Sequence, residues 1–69
     1  MKLNNYEEIV GTLKEYKNID DKTQLTFTME TTINIPKDGI SIGALEECKQ
    51  RKISIFHLDG KYYLKKKML

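Results

Sequence analysis

At sixty-nine residues the chain can form one domain, 1–69, with a core so small that a disulfide, a metal or a second chain would ordinarily help offset chain entropy. One cysteine, Cys48, and one histidine, His57, exclude an internal disulfide and a four-ligand zinc site, and no apolar run is long enough to span a membrane, so a cytoplasmic protein without cofactor is expected. The 39% hydrophobic content excludes a disordered tail, and the net charge of +2 is unevenly laid: residues 49–69 carry seven cations against Asp59 alone.

The apolar positions Tyr6, Ile9, Val10, Leu13 and Tyr16 are spaced i, i+3, i+4, i+7 and i+10, which predicts one face of a helix. Asn5 suits the N-cap, and Glu8 can reach back to it in a capping box. Gly11 and the β-branched Ile9, Val10 and Thr12 oppose that reading. In its favour, Val10–Asn18 recurs as Ile42–Gln50 with Gly, Leu, Glu and Lys in the same places. Each copy precedes a hairpin-like stretch, which predicts two helix-hairpin units, 5–36 and 38–67.

From Gln24 to Pro36 the sequence alternates, with Leu25, Phe27, Met29, Thr31, Ile33 and Ile35 on one side and polar residues on the other. The stretch is long for one strand, so a hairpin is expected. A three-residue loop at Met29, Glu30 and Thr31 would pair Phe27 with Ile33 and Leu25 with Ile35. Pro36 and the Lys37-Asp38-Gly39 turn then end the pairing, and Asp38 or Ser41 can cap a short second helix with the stripe Ile42, Leu45, Cys48.

The last unit has the strongest local signal. Asp59-Gly60 tolerates the positive φ angles of a type I′ turn, so Ile53–Leu58 and Lys61–Lys66 form a two-residue hairpin. That turn sets Leu58 opposite Lys61, His57 opposite Tyr62, Phe56 opposite Tyr63 and Ile55 opposite Leu64. The expected class is α+β in the order αββαββ, a four-stranded antiparallel sheet with two helices on one face. If residues 8–16 are a strand instead, the order becomes βββαββ, that of a small OB-like barrel.

Catalysis has little to stand on in this sequence, and no enzyme is expected. His57 and Asp59 are near in sequence, but Asp59 belongs to the turn; Cys48 lies on an apolar helical stripe, where a buried thiol is the default. Ser41 has no nucleophile motif around it. The sheet face left uncovered by the helices offers more, showing Thr26, Thr28, Thr32, Asn34, Ser54, Phe56, Tyr63 and Lys65.

The expected function is therefore non-catalytic binding of a protein partner or a second copy, with no metal and no small-molecule cofactor. Phe56 and Tyr63 are its candidate anchors, and Lys61, Lys65 and Lys66 supply orientation and attraction. Single-stranded nucleic acid is the alternative ligand, since bases stack on rings while lysines meet phosphates.

Overall fold

The computed structural model describes residues 2–67, and its elements run β1 (Glu8–Ile19), β2 (Lys22–Phe27), β3 (Thr32–Pro36), α1 (Ile42–Cys48), β4 (Lys52–Leu58) and β5 (Lys61–Lys66). The order is βββαββ. The expected four-stranded αββαββ sheet with two helices is therefore corrected to a small β-rich fold: five antiparallel strands in the order β3-β2-β1-β4-β5 and one short helix.

The segment read as the first helix is β1, the central strand. Its N-terminal half pairs with β4, Ile9 opposite Ile55 and Gly11 opposite Ile53. Its C-terminal half pairs with β2, Leu13 opposite Phe27 and Tyr16 opposite Leu25, with a bulge between Leu13 and Glu15. The extra residue at the bulge changes the parity of everything after it. Ile9, Gly11, Leu13 and Tyr16 consequently share the inner face, and their apolar members 9, 13 and 16 are spaced by four and then three. A bulged strand has reproduced a helical stripe.

The first hairpin also differs from expectation in register. Its loop is Thr28, Met29 and Glu30, one residue earlier than predicted, with the Phe27 N–H donating to Thr31 O at 2.8 Å. The pairs are Leu25–Ile33 and Thr23–Ile35, not Phe27–Ile33 and Leu25–Ile35. Glu30 decides this, taking a left-handed φ of 63° while its N–H donates to Phe27 O at 3.0 Å. The odd loop keeps parity, so Leu25, Phe27, Ile33 and Ile35 all stay inside.

The second hairpin forms with all four expected pairs. Asp59 and Gly60 take φ angles of 49° and 83°, as a type I′ turn requires. α1 is short and capped by Ser41, whose Oγ accepts the Ala44 N–H at 3.2 Å. Leu45 and Cys48 are buried, whereas Ile42 faces outward.

Flat, a five-stranded sheet would hold its edges about 19 Å apart. Yet Tyr62 of β5 lines one cavity together with Asn34, Ile35 and Pro36 of β3, and a Cβ on Gly39 would lie 3.3 Å from the Tyr62 ring. The sheet is strongly curled. Its concave side holds one core built from Leu13, Leu25, Phe27, Ile33, Ile35, Leu45, Ile53 and Ile55.

Residues preceding β1 cross the opening as a strap. Lys2 bridges Asn34 in parallel, and Leu3 is buried in the core. The Leu3 carbonyl lies 2.9 Å from His57 Nδ1, and a carbonyl can only accept, so that nitrogen carries the proton. His57 Nε2 then accepts the Gly60 N–H at 3.2 Å, and the ring stacks on Tyr62 with centroids 4.3 Å apart. Asn5, expected as a helix cap, instead accepts the Asp59 N–H at 2.7 Å and donates to the Asp59 carboxylate at 3.2 Å.

The two repeated glycines have different surroundings. A Cβ on Gly11 would sit 3.1 Å from Phe27 Cδ2, whereas one on Gly43 would meet nothing within 4 Å. Of the two, only at Gly11 does a neighbouring side chain approach the bare backbone closely. Gly43→Ala should stabilise the protein by roughly 0.5 kcal/mol through helix propensity alone. A higher urea midpoint with unchanged slope is the expected reading; an unchanged or lower one would mean that α1 contributes nothing at that position.

Candidate interaction surface

Strand parity places two rows of side chains on the convex side of β1, β4 and β5. Glu8, Phe56 and Tyr63 lie across the three strands in one row, and Val10, Ser54 and Lys65 in the next. Leu58 and Lys61 flank them toward the turn, with Thr12 and Lys52 at the other end. Tyr63 is 49% exposed and Val10 37%, while Phe56 and Leu58 are half-buried. Ser54 is buried in the middle of the face, with the larger Val10 and Lys65 as its cross-strand neighbours.

Four of the five residues singled out in the sequence, Phe56, Tyr63, Lys61 and Lys65, come together on this face. Lys66 does not. It points to the opposite side, where its Nζ lies 3.9 Å from Glu47 Oε2 of α1 in an exposed pair of little energetic weight. The threonine-rich stretch expected beside the aromatics is also displaced. Thr26, Thr32 and Asn34 lie on β2 and β3, and the curl of the sheet turns their outer side away from Phe56 and Tyr63.

Glu8 and Val10 were missed because residues 8–16 were read as a helix, and Lys52 because the strand was begun at Ile53, one residue late. The alternation Glu8, Val10, Thr12 against Ile9, Gly11, Leu13 carried the signal, supported by the β-branched run. The face is predominantly basic, with Lys52, Lys61 and Lys65 against Glu8. The potential on this face attracts anionic groups, phosphate and carboxylate alike. Glu8 stands in the same row as the aromatic pair.

Among the described residues, no cluster of three or more His, Cys, Asp or Glu is placed to hold a metal ion, and no helix is long and apolar enough to cross a membrane. Cys48 is a buried free thiol and His57 is committed to the strap. A cavity of about 450 Å³ lies between the edge strands, lined by Lys2, Asp21, Lys22 and Asn34 together with Ile35, Pro36 and Tyr62.

On the far side of the sheet, Tyr16 of β1 donates its phenol proton to the Glu46 carboxylate of α1, and Lys49 Nζ stands 5.9 Å from its ring centre. The hydrogen bond raises the Tyr16 pKa above the ordinary phenol value, with desolvation and the Glu46 charge acting in the same direction. A raised native pKa means that the fold favours the neutral phenol. Its contribution to stability is complete below the unfolded phenol's pKa of about 10 and is lost as pH climbs through the higher native value. Glu46→Ala should move this titration back down, read as the alkaline absorbance difference between the parent and Tyr16→Phe proteins. A titration indifferent to Glu46 would show that the helix and strand are not joined there.

No protein-family profile, no curated protein and no solved structure matches this chain.

Proposed function

We infer that the protein is a non-catalytic binding module that docks an acidic protein partner on the convex face of β1, β4 and β5. The observation that carries this reading is the half-open Phe56–Tyr63 cross-strand pair, with aliphatic Val10 in the next row and lysines on either side. Aromatic anchors with a charged rim are the usual anatomy of a protein contact. Glu8 favours protein over nucleic acid, because a carboxylate in the aromatic row repels phosphates that would follow stacked bases. The lysine excess likewise disfavours a second copy on this face.

Fluorescence titration with a labelled peptide of glutamate and leucine, and in parallel with labelled oligothymidylate, tests the reading at about 50 and 200 mM salt. Binding of the peptide at both salts, abolished by the double change Lys61→Glu and Lys65→Glu and weakened about tenfold or more by Tyr63→Ser, is expected. Preferential oligonucleotide binding that falls steeply with salt would overturn it. So would a concentration-dependent dimer in sedimentation that outcompetes the peptide.

A further inference from the structure

The two edges of the sheet are not equivalent. β3 ends at Pro36, which has no N–H, and its Asn34 is already bridged by Lys2 of the strap. β5 has only β4 beside it among the described strands. A two-residue turn makes Leu58–Lys61 a hydrogen-bonded pair, and alternation makes Phe56–Tyr63 and Ser54–Lys65 such pairs as well. The Lys67 N–H, donating to Lys52 O at 2.9 Å, continues that alternation. Tyr62, Leu64 and Lys66 therefore turn their main-chain N–H and C=O groups away from β4, toward the open side. Tyr62 on that side lines the cavity of about 450 Å³ shared with β3.

A second copy is a poor occupant of this edge. Antiparallel pairing of β5 with itself joins residues of one face, and centred on Tyr63 it would set Lys61 beside Lys65 twice; like charges opposite one another destabilise a sheet. The same lysines suit a strand of opposite charge. We propose that β5 takes up an extended acidic peptide as an added strand, bonded through the main chain of Tyr62, Leu64 and Lys66. The peptide's carboxylates meet Lys61 and Lys65 on the convex side, and its alternate apolar side chains enter the cavity against Ile35, Pro36 and Tyr62. This rests on the protein-docking reading above and supplies its chemistry: the partner presents alternating acidic and apolar residues in extended form.

Amide hydrogen exchange on the labelled protein, with and without a synthetic peptide of alternating glutamate and valine, tests it residue by residue. Exchange at Tyr62, Leu64 and Lys66 should slow about tenfold or more at saturation. Lys66→Pro removes one open N–H without breaking a bond to β4 and should weaken binding about tenfold relative to Lys66→Ala, its fold checked by circular dichroism. Perturbation confined to Glu8, Val10 and Phe56, with the three edge amides unprotected, would overturn strand addition and leave docking on the face intact. Equal binding of a lysine–valine peptide would overturn the charge requirement. No perturbation anywhere would overturn both readings.

Discussion

Phe27→Ala is expected to lower the unfolding free energy by about 3–5 kcal/mol, a large part of what a chain this size holds in total. Phe27 is 1% exposed and lies where β1, β2 and the first loop converge, its ring edge next to the bare backbone of Gly11. That proximity makes the pair testable together. Gly11→Ala alone puts a methyl 3.1 Å from Phe27 Cδ2 in a packed interior and should cost about 1–3 kcal/mol. In a Phe27→Leu background the same methyl enters space the ring has vacated, so the double variant should be more stable than the sum of the single losses predicts. Strictly additive urea midpoints would show that the two residues do not press on one another.

Leu3→Ala should cost about 2–5 kcal/mol, an unusual sensitivity so near the start of a sequence. Leu3 is 3% exposed, and its carbonyl is the partner of His57 Nδ1. His57→Ala attacks the same strap from the other side, removing two hydrogen bonds and the Tyr62 stack, at about 1–3 kcal/mol. Urea unfolding monitored by circular dichroism gives both values. If Leu3→Ala leaves the midpoint unchanged, the strap lies on the surface of the fold and closes nothing.

These sites show where the sequence was readable and where it was not. The register of the β4–β5 hairpin could be read from the sequence, because Asp59-Gly60 leaves one turn geometry and that turn fixes the pairs beyond it. The capped start of α1 was equally local. β1 was misread for a physical reason: the bulge at Lys14 and the absence of a side chain at Gly11 together turned an alternating inner face into apolar residues spaced four and three apart. Gly11 itself was informative, but only beside Phe27, which is distant in sequence. The first hairpin slipped because its loop is set by a glutamate in the left-handed region, a conformation its residue type does not announce. For the candidate surface, the aromatic pair and two lysines followed from the hairpin register, whereas Glu8 and Val10 required the correct β1.

The sharing of β1 between both halves of the sheet also bears on how the molecule reaches this state. The β1–β2 and β4–β5 hairpins join near neighbours and can form within microseconds. The single core closes only when Ile9 meets Ile55 across 46 positions of the chain, a closure whose entropy must be spent before the core repays it. The docking of β4 on β1 is thus the expected slow step of folding, and until it occurs the edge of β1 would stand open to strands of other chains.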